Sequence, residues 1–276
     1  MPDPSAGTGR RVDPIDRAHL TSAARPSPPI HRYAPSAVLA DLVARYWIPV
    51  WSLTAPTTQS TLQYPVCLIV VSDSYARFYG VARGLSRVTL DGDGWAVGVL
   101  FRPAAGRLLL GRPVSELTDA HLELASLPSI DGAALAARVT ASMTPDPAAP
   151  SSHRAAIAAY EDVLGALLPV DGPGLLINRV IDWLTEHPAV TRVSEVAEAF
   201  AMTERSLQRL VVDRVGLTPK WLIQRRRLHD AVTRLKAGAA SLSDLAAELG
   251  YADQAHFTKD FRAVTGLTPG QYLAEQ

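Results

Sequence analysis

Cysteine is nearly absent from this chain: Cys67 is the only one in 276 residues. A single thiol excludes an intramolecular disulfide framework, and without other ligands clustered near it structural zinc has no site. Such usage suits a reducing compartment, so a cytoplasmic protein is expected. An excess of either charge is missing too, with 27 Lys and Arg against 27 Asp and Glu. Bulk electrostatics therefore cannot hold a polyanion, and any nucleic-acid affinity must come from local placement of charge. The seven histidines are scattered, with no His-x-His or His-Glu-x-x-His spacing. Neither a phosphate-binding Gly-rich loop nor a Gly-x-Ser-x-Gly elbow occurs. The expectation is no enzyme, no metal and no cofactor. The opening MPDPSAGTGRRVDPIDRAHLTSAARPSPP has no apolar core behind a basic head, so it reads as neither signal peptide nor membrane span but as a mobile arm over residues 1–30.

What is present is a globular composition, 47% hydrophobic and 20% charged, long enough for two domains. HRYAPSAVLADLVARYW offers Val38, Leu39, Leu42 and Val43 at helical spacing. The runs YWIPVWSL, YPVCLIVV, YARFYGV, SRVTLDGDG and WAVGVLF are then aromatic and β-branched and are broken by Pro, Asp, Ser and Gly. They predict strands of a mainly antiparallel sheet, with a hairpin at TLDGDGWAV. Residues 31–140 are thus expected to be an α+β, sheet- or barrel-like sensory or dimerisation domain. Residues 141–174 are expected to hold a linker, MTPDPAAPSS, and a connecting helix. Trp47, Trp51, Tyr64, Tyr79 and Trp95 are candidates for a small-molecule pocket, weighed against ordinary core filling. Arg77, Arg83 and Arg102 are candidate anion anchors, weighed against surface placement. Cys67, inside the apolar CLIVV, is expected to be a buried, inert thiol.

From residue 175 the text is all helical, and it repeats itself. SEVAEAFAMTERSLQRLVVDRVGLTPKWL begins at Ser194 and SDLAAELGYADQAHFTKDFRAVTGLTPGQYL at Ser243. Ala197 pairs with Ala246 and Phe200 with Leu249; after one extra residue, Leu207 pairs with Phe257, Val211 with Phe261, Gly216 with Gly266 and Pro219 with Pro269. Each copy reads as a short amphipathic helix, a tight turn and a second helix, which is a helix-turn-helix unit. Thr191 and Ser241 are the expected N-caps of the first helices, and Thr203 of the second helix in copy one. Copy two has Ala252 at that position, which leaves Asp253 to cap one residue later.

The second helices, about 203–215 and 253–265, are the expected readers of DNA. Arg205, Gln208 and Arg209 face outward in the first, and Gln254, Ala255, His256 and Lys259 in the second. Arg and Lys can donate to guanine O6 and N7, and Gln can address adenine N6 and N7. Thr203, Lys220, Arg226, Arg227 and Arg262 are the expected phosphate contacts. A helix from about Thr218 to Ala237 joins the units, with Arg225 expected on its buried stripe through its stem or an internal ion pair.

These residues resemble the C-terminal DNA-binding region of the AraC/XylS family of bacterial transcription regulators. The resemblance rests on Thr203-Glu204-Arg205-Ser206-Leu207-Gln208-Arg209-Leu210 with Gly216-x-x-Pro219. It rests equally on Leu245-Ala246-x-x-Leu249-Gly250-Tyr251-x-Asp253-Gln254-x-His256-Phe257, then Phe261-Arg262 and Gly266-Leu267-Thr268-Pro269. It implies two helix-turn-helix subdomains over 175–276, recognition helices in successive major-groove segments of double-stranded promoter DNA, and control of transcription. It leaves open RNA polymerase, a small-molecule effector and a second copy of the chain as further partners. The family's turn serine is Ala252 here, and a position usually arginine is Lys259, which lacks the bidentate fork. The alternative is therefore a sensor or scaffold whose DNA-binding half is degenerate. The text ending VGVLFRPAAGRLLLGRPVSELTD resembles an uncharacterised domain found ahead of such regions in actinobacterial regulators.

Overall fold

The computed structural model describes residues 28–238 and 241–274. The arm expected over 1–30 lies outside the described residues except for its last three, and Ile30 already opens a strand. The strands are β1 (Ile30–Tyr33), β2 (Val43–Ser52), β3 (Thr57–Thr61), β4 (Leu68–Ser72), β5 (Ala76–Tyr79), β6 (Ser86–Leu90), β7 (Asp93–Phe101) and β8 (His121–Glu123). Six form one antiparallel sheet in the order β1-β2-β7-β4-β5-β8, and β3 pairs with β6 as a separate ribbon. All five apolar runs became strands, as the α+β reading requires.

Two local expectations are corrected. The helix expected across Val38 to Val43 is a single 3-10 turn at Ala37–Leu39, after which Val43 starts β2. The aromatic and β-branched run VARYWIPV outweighs the short helical spacing, and Val38 is left 70% exposed. At TLDGDGWAV the chain does turn, with Gly92 at φ +54°. Yet β6 pairs with β3 while β7 pairs with β2 and β4, so this turn carries the chain from one sheet to the other.

Alternation puts Tyr46, Ile48, Ile69, Val71, Trp95, Val97 and Val99 on one face of the large sheet. Helices α1 (Ala105–Leu110), α2 (Gly132–Met143) and α3 (Pro150–Gly165) contribute to the same core through Leu109, Leu135, Met143, Tyr160 and Leu164. On the opposite face Trp47 lies over Gly98 and Trp51 over Gly94, their cross-strand partners. A Cβ would stand 2.1 Å from the Trp47 ring at Gly98 and 2.4 Å from the Trp51 ring at Gly94. Cys67 is buried under α1 against Gly106, and burial raises its thiol to about 12. Of the MTPDPAAPSS stretch only 144–149 lie between the helices, since Met143 ends α2 and Pro150 opens α3. His153 pins this segment, with Nδ1 2.7 Å from the Tyr33 hydroxyl and Nε2 2.7 Å from Pro147 O.

The remaining helices are α4 (Gly172–Glu186), α5 (Val193–Ala199), α6 (Glu204–Val215), α7 (Pro219–Lys236), α8 (Leu242–Glu248), α9 (Gln254–Thr265) and α10 (Pro269–Ala274). One apolar core runs without interruption from Leu39 through the sheet and α1–α6 to Leu222 and Ile223 at the start of α7. A second collects Leu228, Val232 and Leu235 of α7 with Leu245, Phe257, Phe261 and Tyr272, and takes Leu62 from beside the ribbon. The first helix-turn-helix unit therefore shares a core with the N-terminal sheet, and the second has a core of its own.

Polar ties follow the same division. Asn178 of α4 accepts from the Ala104 amide at 3.0 Å and donates to Asp41 O at 2.8 Å. Arg102 pairs with Asp182 at 2.5 Å and Arg107 with Asp213 at 3.2 Å. Thr118 donates to Gly216 O at 3.0 Å.

Candidate nucleic-acid interface

The turn of each unit is closed by the same backbone bond. In the first unit the Met202 amide donates to Ala197 O at 2.9 Å, and in the second the Tyr251 amide donates to Ala246 O at 2.9 Å. The residue that makes this turn is Ala201 at φ +50° in one copy and Gly250 at φ +75° in the other. The left-handed region suits glycine and strains alanine, so the first turn is held by its surroundings. Both reading helices end on left-handed glycines, Gly216 at φ +84° and Gly266 at φ +78°. Each is followed by a capping threonine and a proline in the first turn of the next helix, Thr218-Pro219 and Thr268-Pro269.

Caps set where each reading helix begins. Thr203 Oγ1 accepts from the Ser206 amide at 3.1 Å and Asp253 Oδ1 from the His256 amide at 2.7 Å. The oxygen missing at Ala252 is thus supplied one residue later. Ser241 caps α8 through the Asp244 amide. Thr191 does not cap α5; its amide and that of Arg192 donate to Glu195 Oε2 at 3.0 and 2.7 Å. Those two amides hold the Glu195 carboxyl below its usual range.

Leu207 and Val211 of α6 and Phe257 and Phe261 of α9 are fully buried. The opposite faces are exposed: Glu204, Arg205, Gln208 and Arg209 on α6, and Gln254, Ala255, His256, Lys259 and Arg262 on α9. Beside α9 lies an open groove of about 860 Å³ lined by Gln254, Ala255, Thr258, Lys259, Arg262, Ala263 and Thr268. His256 stands edge-on to Tyr251 with ring centroids 5.3 Å apart, and its Nε2 is 3.7 Å from Asp260.

The basic residues divide sharply by what they already hold. Among the described residues the side chains of Arg205, Arg209, Lys220, Lys259 and Arg262 make no hydrogen bond or ion pair. Three other arginines are committed inside the protein. Arg214 pairs with Asp171, and Arg226 donates to His187 O at 2.6 Å and Val190 O at 2.7 Å. Arg225, 1% exposed, donates to Ala82 O at 2.8 Å and Arg83 O at 2.5 Å. Burial pushes the Arg225 guanidinium down to about 9, opposed by Asp119. Arg225 thus lies on the buried stripe as expected, but of the two alternatives the internal ion pair is corrected to a grip on backbone carbonyls. Arg226, expected on phosphate, instead ties α7 to the end of α4. Arg227 lies over the Tyr251 ring at 3.6 Å and packs α7 against the second turn.

The aromatic candidates for a ligand pocket do not share one wall. Trp47, Trp51 and Tyr79 belong to one sheet face and Trp95 to the other, while Tyr64 stacks on His229 of α7 at 4.5 Å. Arg77, Arg83 and Arg102 are paired with Glu123, Asp119 and Asp182.

Comparison with known proteins bears on the same region. Residues 196–275 match the model of a helix-turn-helix domain family. The C-terminal region is an AraC-type helix-turn-helix domain. Residues 31–123 match a domain of unknown function (DUF6597). The chain is similar to the HTH-type transcriptional activator RhaS of Escherichia coli strain SE11, 34% identical over 94 residues. That stretch is 34% of this chain and 34% of RhaS, so the chain spans about a third of the length of the curated relatives it matches. Among solved structures, apo ToxT from Vibrio cholerae is 11% identical over 83% of this chain and 97% of its own, with a TM-score of 0.42. The C-terminal domain of AraT from Geobacillus stearothermophilus, described as a response regulator, is 22% identical over 36% of this chain and 83% of its own, with a TM-score of 0.34. The AraC-type domain thus coincides with the duplicated units, and among the described residues no helix is long and apolar enough to cross a membrane.

Proposed function

We propose that this protein binds double-stranded DNA sequence-specifically and regulates transcription, with α6 and α9 lying in successive major-groove segments. The observation that carries this reading is the repeated, solvent-facing polar surface on two equivalent helices, on which Arg205, Arg209, Lys259 and Arg262 make no hydrogen bond or ion pair among the described residues. Arg205, Gln208 and Arg209 stand on the first two turns of α6, where side chains reach base edges while the helix amides face phosphate. Arg209 and Arg205 suit guanine and Gln208 suits adenine. On α9 the equivalent surface is Gln254, Ala255, His256 and Lys259, with Arg262 one turn further on. Lys220 is exposed at the start of α7 and suits a phosphate, as does Arg262. Thr203 reaches the backbone of DNA only by sharing its capping hydroxyl.

Connector length supports two simultaneous readers. The 18 residues of α7 span about 27 Å, near the roughly 34 Å of one duplex turn. Asp253 caps α9 one residue beyond Ala252, which supports a competent second unit. The test is selection from a library of random duplexes at fixed salt, followed by titration of the selected sites. Enrichment of a two-part sequence bound at least about a thousandfold more tightly than random duplex is the expected result. Uniform weak binding to every duplex would replace this reading with the scaffold alternative.

A further inference from the structure

The two reading helices belong to different cores, so something other than direct packing must set their relation. The α7 rod is one link, with Leu222 and Ile223 in the first core and Leu228, Ala231 and Val232 in the second. Arg225 sits at the seam between these groups. Its Nη2 reaches Ala82 O, Arg83 O and Gly84 O at 2.8, 2.5 and 3.4 Å, and its guanidinium lies 4.4 Å from the Trp221 ring. The other two nitrogens, Nε and Nη1, are buried with no partner.

Loop 82–84 is itself a bracket between the two units. Asp119, at φ +60°, accepts from the Arg83 amide at 2.7 Å and from its Nη1 at 2.8 Å. Its neighbour Thr118 donates to Gly216 O, at the exit of α6. On the other side a Cβ at Gly84 would lie 4.0 Å from Val264 O, and a Cβ at Gly266 would lie 3.8 Å from Arg87 Nη2, at the exit of α9. Two linked stretches of the N-terminal domain therefore bracket the readers: 118–119 holds the exit of α6, and 82–87 holds the middle of the rod and lies beside the exit of α9. A buried cation held by carbonyls and an aromatic ring, with no carboxylate in hydrogen-bond contact, is a poor source of stability compared with an apolar side chain of the same size. Its value lies in geometry, because three carbonyls on one nitrogen admit little sliding of α7.

We infer that Arg225, which faces away from DNA, determines which spacing between half-sites the protein accepts, by locking α7 onto loop 82–84 and so fixing α6 relative to α9. The inference rests on the DNA-binding reading above. The experiment selects sites with wild-type protein from random duplexes, then measures affinity for the selected site and for versions with one base pair inserted or removed between its halves. Wild-type protein is expected to lose about tenfold or more at either altered spacing, the scale of a single mismatch. Arg225→Met, which keeps bulk without donors, is expected to bind the same half-sites with that penalty reduced to within about threefold. Asp119→Gly accepts the positive φ and releases Arg83, loosening the bracket without touching α7. It is expected to relax spacing in the same direction, and it carries the test alone if Arg225→Met fails to fold.

A folded Arg225→Met or Asp119→Gly protein that keeps the full wild-type penalty, or that loses affinity equally at every spacing, overturns the inference and leaves the DNA-binding reading intact. A wild-type protein that enriches no sequence overturns the DNA-binding reading, and the inference falls with it.

Discussion

Arg214, near the end of α6, grips Asp171 with both terminal nitrogens, at 2.9 and 2.5 Å. Asp171 also caps α4 through the Gly174 amide at 2.9 Å. Burial alone would raise its carboxyl, but the hydrogen bonds from Arg214 and Gly174 and the charges of Arg214 and Arg107 hold it below its ordinary 3.8. Asp171→Ala strips a helix cap and leaves a guanidinium 8% exposed with its two terminal nitrogens unpaired and only Asp213, 3.2 Å from Nε, beside it; we expect a loss of about 2 kcal/mol in urea unfolding at pH 7. A carboxyl depressed in the folded state stabilises above its unfolded value and stops doing so as the pH falls through the folded one. The deficit of Asp171→Ala should therefore be complete at neutral pH and shrink on acidification below the unfolded value of 3.8.

The two exit glycines should respond differently to the same substitution. Both have positive φ, which costs alanine about 1 kcal/mol. At Gly216 a Cβ would also meet Thr118 Oγ1 at 2.7 Å and the Val114 carbonyl at 3.0 Å, whereas at Gly266 the nearest atom is 3.8 Å away. Gly266→Ala is expected to lose about 1 kcal/mol and Gly216→Ala about 2 to 3. Equal losses in thermal or urea melts would contradict the close approach at Gly216.

Ala201 occupies the turn where its counterpart is Gly250, and it does so at φ +50°. Ala201→Gly should raise stability by up to about 1 kcal/mol, since relief of strain exceeds the added chain entropy. A lower melting temperature for this variant would show that the alanine methyl packs usefully.

Base readers and phosphate binders should separate by their salt dependence. Arg209→Ala is expected to cost about 1 to 3 kcal/mol on the selected site and to relax preference at one base position. Lys220→Ala should weaken all duplexes alike and reduce the slope of log affinity against log salt by about 0.9. Titrations of both variants at several salt concentrations distinguish the two roles.

The helix-turn-helix half was legible because its repeated letters mark positions of steric necessity: small Ala197 and Ala246 at the crossing, Gly216 and Gly266 where φ turns positive, and oxygen-bearing caps. The strain at Ala201 was available from the same alignment, since its partner is a glycine. The strands of the first half were legible where they were apolar; β3, written TTQST, carries no such signal. The burial of Arg225 was legible in its helix stripe, but its partners and those of Arg214 and Arg226 were hidden for a different reason. An arginine on a helix looks the same whether it faces solvent or a carbonyl, and the partners of Arg225 lie 141 to 143 residues away. Among the five aromatic candidates parity sets Trp95 apart from Trp47, Trp51 and Tyr79, because it sits an even step from Val97 and an odd one from Gly98, and Tyr64 lies outside the strands.

An apolar interior that passes unbroken from the sheet into the first reading unit makes that unit a poor candidate for transplantation. A chimera joined near residue 175 would cut Leu109 and Leu135 away from Ile177 and Val211 and expose both sides of the wound. A seam after Ile223 would instead leave the first interior whole and part the second only from Leu62 and from the carbonyls that Arg225 grips, so exchanging only the second reader between relatives is the graft this architecture tolerates best.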